Sequence, residues 1–165
     1  MLKPKIKDLY TDEELTAYMQ QTILVAQQAL KYDEVPIGAL IVDNNTKQVI
    51  ASGFNQREVQ QRATAHAEIL AIENACQKTG SWRLEHHSLF VTLEPCPMCA
   101  GAIINSRIAT VAYGAHDPKA GSVGSLTNLF SLNYNHQPDF IGGVLEQQCG
   151  KLLTDFFKAI RARRN

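Results

Sequence analysis

The segment Cys96-Pro97-Met98-Cys99, led in by Glu94-Pro95, constrains this chain more than any other. Cysteines three positions apart, with a proline tolerated at the first helical position, put both sulfurs on one face of a helix start. There they can share one metal ion. The partial positive charge of a helix N-terminus favours thiolates over thiols, and a bound cation completes the deprotonation. Upstream, His66-Ala67-Glu68 opens a second helical pattern, and its imidazole offers a neutral third ligand. A fold for this chain has to bring those two helix starts to one point.

The rest of the pattern says what kind of fold does so. Thr11 and Glu14 form a capping-box signature before Leu15, Met19, Ile23, Ala26 and Leu30, which predicts a first helix over residues 12–31. Pro36 bars its continuation. Residues 37–42 and 48–54 read as strands around an Asp43-Asn44-Asn45 turn, a hairpin, followed by a polar loop over 56–64. A helix over 65–76 closing near Gly80, a strand over 88–93, a helix over 97–105 and a strand over 108–113 follow. Strand, helix, strand implies a parallel crossover. A short strand over 140–144 and a long amphipathic helix carrying Cys149, Leu152, Leu153, Phe156, Phe157 and Ile160 end the series. This order predicts an α/β fold, a three-layer α/β/α sandwich around a central mixed sheet of about five strands.

With 165 residues, 45% of them hydrophobic and 19% charged, one domain spanning residues 1–165 is expected. The basic start, residues 1–7, runs into a polar helical pattern rather than an apolar leader, and no apolar stretch approaches the ~20 residues of a membrane helix. A soluble, cytoplasmic protein without a membrane partner is the expectation. In that setting a Cys-x-x-Cys pair points to metal or redox chemistry rather than to disulfides. Cys76 and Cys149, isolated at apolar helical positions, read as buried inert thiols.

Two thiolates cancel the charge of Zn²⁺, and His66, Cys96 and Cys99 leave the fourth tetrahedral position open for water, as in catalytic zinc sites. That water becomes a hydroxide source near neutral pH. Glu68, two residues beyond His66, is placed to shuttle protons from it. One alternative is a closed structural site in which His86, His87, His116 or His136 supplies a fourth ligand. Another is a thioredoxin-like redox pair. Both leave the joint spacing of His66, Glu68, Pro95 and the two cysteines without a reason. That joint form, His-x-Glu with a distant Pro-Cys-x-x-Cys, is the signature of zinc nucleobase deaminases.

Thr64-Ala65-His66-Ala67-Glu68 and Glu94-Pro95-Cys96-Pro97-Met98-Cys99 thus resemble the cytidine-deaminase-like superfamily. They look equally like guanine or cytosine deaminases. More selective are the runs Glu34-Val35-Pro36-Ile37-Gly38-Ala39, Gly53-Phe54-Asn55, residues 100–108, Gly114-Ala115-His116-Asp117-Pro118-Lys119-Ala120-Gly121, and Leu153-Thr154-Asp155-Phe156-Phe157 with the basic residues after it. These are similar to the bacterial tRNA-specific adenosine deaminases.

The resemblance implies a homodimer with one Zn²⁺ per subunit, held by His66, Cys96 and Cys99. It further implies hydrolytic conversion of adenosine to inosine at the wobble position of a tRNA anticodon stem-loop, with Glu68 as proton shuttle. Asn55 would hydrogen-bond the inserted nucleoside, and Asp117, Lys119, Phe156 and Arg161 would contact the anticodon loop. Asp117 reads equally as a turn residue before Pro118, and Phe156 equally as a core aromatic. One departure stands out: Arg62-Ala63 occupies the place where many relatives carry Asp-Pro.

Charge does not decide the partner. The net charge is zero, and the cluster of Lys151, Lys158, Arg161, Arg163 and Arg164 suits an RNA surface as well as it suits a helix C-terminus. Two other functions remain at this level: deamination of free guanine or cytosine, and a catalytically silent zinc module that binds RNA or a partner, which the intact Glu68 argues against.

Overall fold

The first element is a single turn, α1 (Ile6–Leu9), too short to leave a periodic signature; its Ile6 is buried and donates its amide to Asp139, 2.8 Å away. The computed structural model describes residues 3–164; residues 1, 2 and 165, and with them both limits of the expected domain, lie outside the described residues. The expected capping box forms: Thr11 accepts from the Glu14 amide and Glu14 accepts from the Thr11 amide. It starts α2 (Asp12–Gln28). The helix tightens into a 3-10 turn over Ala29–Tyr32 and stops at Asp33, whose φ of 55° is left-handed, three residues before Pro36.

The hairpin is present as an antiparallel pair, β1 (Gly38–Asp43) and β2 (Val49–Phe54). The polar loop after it contains one helical turn, α3 (Arg57–Gln60), ended by Gln61 at φ 50°. Then come α4 (Ala67–Thr79), closed by Gly80 in the left-handed region, β3 (His87–Leu93) and α5 (Pro97–Asn105).

The next strand, β4 (Thr110–Ala115), begins two residues later than its apolar run suggests. The reason is the end of α5. Arg107 turns left-handed at φ 64°, its amide reaches the Ile104 carbonyl, and the Ile108 amide reaches Ile103, a Schellman cap. Ile108 is therefore spent on closing the helix. A short edge strand, β5 (Asp139–Ile141), and α6 (Glu146–Arg164) complete the series.

The sheet order is β2-β1-β3-β4-β5, with β3, β4 and β5 parallel and β1 antiparallel to both neighbours. It is mixed and five-stranded, as expected. One face is covered by α4 and α5, where Ala71, Ala75, Ile103 and Ile108 pack against Ile41, Leu89 and Val111. The other is covered by α1, α2 and α6, with Met19, Phe90, Ala112 and Cys149 at its centre. Alternate residues of β1 and β3 thus serve different cores, which is why both read as nearly unbroken apolar runs. At Gly38 the sheet and α2 approach so closely that a Cβ would stand 2.5 Å from the Ala26 nitrogen and 2.6 Å from the Thr22 oxygen. Among the described residues no helix is long and apolar enough to cross a membrane.

Candidate metal centre and active site

Two helix starts meet beyond the sheet, and both present their capping positions. His66 is the N-cap of α4 and makes no capping bond with its side chain. Cys96 is the N-cap of α5, and Cys99 lies within its first turn. The crossover from β3 through α5 to β4 places the sulfurs, and α4, packed beside α5, brings the imidazole to them.

The chemistry of this donor set fits a tetrahedral cation. Bonds of about 2.3 Å to sulfur and 2.0–2.1 Å to nitrogen, meeting at the tetrahedral angle, separate nitrogen from sulfur by about 3.5 Å. His66 Nδ1 lies 3.5 Å from Cys99 Sγ and 3.7 Å from Cys96 Sγ. The three ligand atoms all lie within 4.8 Å of one another, and among the described residues no fourth His, Cys, Asp or Glu joins them. Three protein donors are the set that leaves one position for chemistry. The closed site with a fourth histidine has no support in this geometry.

The protonation states agree. A hydrogen bond from the Cys99 thiol, aided by His66, holds Cys96 down at about 4, while the same bond, seen from the other side, and burial push Cys99 up. Two sulfurs this close share one proton until a cation takes its place. The Cys96 sulfur in turn holds the His66 imidazole above its ordinary value.

Glu68 lies in the first turn of α4, 4% exposed, beside Cys96 and Cys99. Burial pushes its carboxyl up to about 7. It therefore exchanges a proton near neutrality, the property a shuttle needs. Glu68, His66 and Cys96 line a cavity of about 790 Å³ whose walls include Asn55, Asp117, Lys119 and Arg161.

The chain matches the MafB19-like deaminase family over residues 13–161. It is 48% identical to the tRNA-specific adenosine deaminase of Bacillus subtilis (strain 168), over 93% of this chain and 94% of that one. The Haemophilus influenzae tRNA-specific adenosine deaminase is 40% identical over 91% of this chain and 85% of its own. The chain belongs to the tRNA-specific adenosine deaminase family.

Solved structures agree with this family assignment. A tRNA:A34 deaminase characterised in A-to-I editing at the wobble position of transfer RNA superposes with a TM-score of 0.80 at 42% identity, over 84% of this chain and 99% of that one. The guanine deaminase of Nitrosomonas europaea, at 23% identity and a TM-score of 0.73 over 86% of this chain and 83% of its own, shares the fold.

Within this family member, the expected site residues other than Phe156 fall into two groups. His66, Cys96, Cys99 and Glu68 converge, and Asn55, Asp117, Lys119 and Arg161 line the same cavity. The Asn55 amide is held on both sides: Nδ2 donates to the Val35 carbonyl at 3.2 Å, and Oδ1 accepts from the Arg57 amide at 3.2 Å. One N–H and one lone pair remain free for a ligand. Asp117 Oδ1 accepts from the amides of Lys119 and Ala120, which shapes the turn that carries Lys119.

Phe156 does not line the main cavity. It faces a smaller adjoining one of about 340 Å³, with Asp33 and Glu34, while its neighbour Phe157, 44% exposed, forms part of the main wall. Phe157, Val35 and Ile37, which the sequence offers only as parts of longer runs, and Arg57, to which it assigns nothing, also line that wall. Arg57 had one available signal, an isolated cation just after Asn55.

Proposed function

We propose that this protein hydrolyses adenosine to inosine at the wobble position of a tRNA anticodon. The observation that carries the reading is the convergence of His66, Cys96 and Cys99 with Glu68 on one cavity whose wall also holds Arg57, Lys119 and Arg161. The relatives' activity and the identity along nearly the whole chain support the same substrate.

His66, Cys96 and Cys99 would hold one Zn²⁺ per subunit. When bound, zinc supplies Lewis-acid chemistry that lowers the pKa of a water toward neutrality and makes it a nucleophile. Glu68 takes the proton of the attacking water on its carboxylate and delivers it to N1 of the purine. It then carries a second proton to the amino group on C6, so that ammonia rather than an amide anion departs and a carbonyl remains. Burial keeps Glu68 away from bulk water, so its proton goes to the substrate.

Asn55 offers its free N–H and lone pair to the inserted nucleoside. Val35, Ile37 and Ala67 supply the apolar surface of the cavity. Lys119 and Arg161 meet the RNA backbone, Asp117 orders the turn beneath Lys119, and Phe156 offers an aromatic surface at the adjoining cavity. Anticodon bases are single-stranded, so extruding one costs roughly a few kcal/mol. The chain acts as a single domain, pairs with a second copy, and works in the cytoplasm, where tRNA is. At Gly101 of α5 no other part of the described chain lies within 4 Å of where a Cβ would stand, which leaves room there for a second copy.

The test is to incubate zinc-loaded protein with bacterial tRNA, free guanine and free cytosine, reading inosine by mass and ammonia by coupled assay. Inosine at position 34 of a tRNA is the expected result. Ammonia from a free base with the tRNA untouched moves the protein to nucleobase salvage.

A further inference from the structure

Two glutamates outside the catalytic group are as buried as any core residue: Glu34 is 1% exposed and Glu94 2%. A buried carboxylate needs partners that replace its water. Neither finds a lysine or an arginine among the ion pairs of the described residues; the nearest basic group to Glu94 is the His116 ring, 3.7 Å away. Both are held chiefly by backbone amides instead, from two segments that contribute Arg57 and residues 117–120 to the cavity wall.

Glu34 accepts from the amides of Glu58 at 3.1 Å and Val59 at 3.0 Å. These lie in the single turn of α3, whose own N-cap residue, Gln56, makes no capping bond. Glu34 caps that turn from 24 residues away. The turn begins with Arg57, whose side chain lines the cavity and whose amide fixes Asn55.

Glu94 does the same for the second segment. Its Oε1 accepts from the Asp117 amide at 3.0 Å and from the Ser125 hydroxyl; its Oε2 accepts from the amides of Val123 at 3.1 Å and Ser125 at 3.0 Å. Gly121 is open for this purpose, since a Cβ there would stand 2.4 Å from the Glu94 carboxyl carbon. The segment so held carries Asp117 and Lys119.

We propose that Glu34 and Glu94 are positioning residues, each pinning one lip of the cavity, and that together they set Arg57 and Lys119 to receive the sugar-phosphate backbone of a single-stranded RNA. This rests on the reading that the substrate is RNA. Glu94 also borders the cavity, but the oxygens of both carboxylates are engaged by loop donors, so their part is to position rather than to react. Their loss should cost RNA binding and spare the chemical step. A glutamine offers an amide N–H where the backbone donors need an acceptor, so it keeps the shape and breaks the clamp.

The experiment measures kcat and KM of the zinc-loaded full chain on an anticodon stem-loop RNA with adenosine at the wobble position, together with zinc content. Glu34→Gln and Glu94→Gln should each raise KM about tenfold, with kcat within threefold of the parent and zinc content unchanged. In double-variant cycles, Glu34→Gln should add little to Arg57→Ala and its full effect to Lys119→Ala, and Glu94→Gln the reverse. A fall in kcat at constant KM, or full additivity in all four pairs, overturns the proposal. If Glu94→Gln does not fold, Ser125→Ala removes a side-chain donor from the same carboxylate and should raise KM in the same direction; an unchanged KM there overturns the role of Glu94. The parent separates two failures. If it leaves the RNA unmodified, the RNA reading and this inference fall together, whereas full parental activity with kcat-type variants removes the positioning role alone.

Discussion

The imidazole Nδ1 of His66 stands 3.5 Å from the sulfur of Cys99, although 33 residues separate them in the chain. Each side chain sits in the opening turn of its own helix, so the contact fixes how those helix starts meet. The first expected outcome follows from it. Cys96→Ala, or treatment with a strong chelator, should remove zinc and activity together and lower Tm. Re-added zinc should restore both in the chelated parent and neither in Cys96→Ala, because only a protein that binds the ion is stabilised by it. Calorimetry with and without zinc checks this.

Glu68→Gln should retain zinc and fold. Its deamination rate should fall by about 10²–10⁴-fold, the range for a lost general acid–base. Zinc content by atomic absorption alongside single-turnover inosine formation separates this from a metal defect. Turnover within tenfold of the parent would remove Glu68 as the proton carrier.

Lys119→Ala and Arg161→Ala should each weaken binding of an anticodon stem-loop and flatten the plot of log affinity against log salt by about 0.7, the value for one phosphate contact on a single strand. Lys158, on the same helix as Arg161 but outside the cavity wall, is the control. Its alanine variant should keep the parental slope.

Tyr10 carries a pH dependence remote from the site. Burial pushes its hydroxyl up to about 12, and the hydroxyl donates to Asn44 Oδ1 at 2.6 Å, an oxygen that also accepts from Ser88. The unfolded chain loses that proton at about 10 and the folded chain retains it, so the unfolded state binds fewer protons between those values. Stability is therefore unaffected below pH 10 and falls as pH rises through the window to 12, by roughly 3 kcal/mol in total from this group. Urea midpoints from pH 9 to 11.5 should show the fall in the parent and a shallower one in Tyr10→Phe.

Gly38→Ala should destabilise the fold without touching the metal centre. The added methyl meets backbone atoms of α2, which cannot rotate away. Overpacking of this kind costs about 1–3 kcal/mol. A Tm lowered by several degrees with zinc stoichiometry unchanged is the expected result.

Most of the fold is legible in the sequence because its signals are local. The Thr11–Glu14 box, the turn after β1, Pro97 at the head of α5 and Gly80 past α4 each act within a few residues of themselves. The start of β4 is displaced because Ile108 has two uses, strand residue and helix cap, and hydropathy cannot choose between them. The candidate metal ligands and Glu68 are legible for a different reason: metal chemistry restricts the spacing of His66, Cys96 and Cys99, and Glu68 is marked by its place two residues after the histidine. Glu34 and Glu94 are not legible as clamps. Their partners lie 23 to 31 residues downstream, and apart from the Ser125 hydroxyl the donors are backbone amides, which leave no trace in side-chain identity. Phe157 rather than Phe156 faces the main cavity because the wall follows the exposed flank of α6, and the periodic pattern, which contains both, does not say which side the cavity takes.

The groups proposed to perform the chemistry all lie between residues 66 and 99, whereas much of the cavity wall comes from the loop after β4 and from α6. Apart from Asn55 and Arg57, recognition is thus written in a stretch of the polypeptide separate from reaction. A lineage can exchange the later stretch, and with it the molecule that is recognised, while the earlier one stays under unaltered selection. Divergence on this scaffold should accordingly run fastest at the C-terminal helix and slowest at the two helix starts.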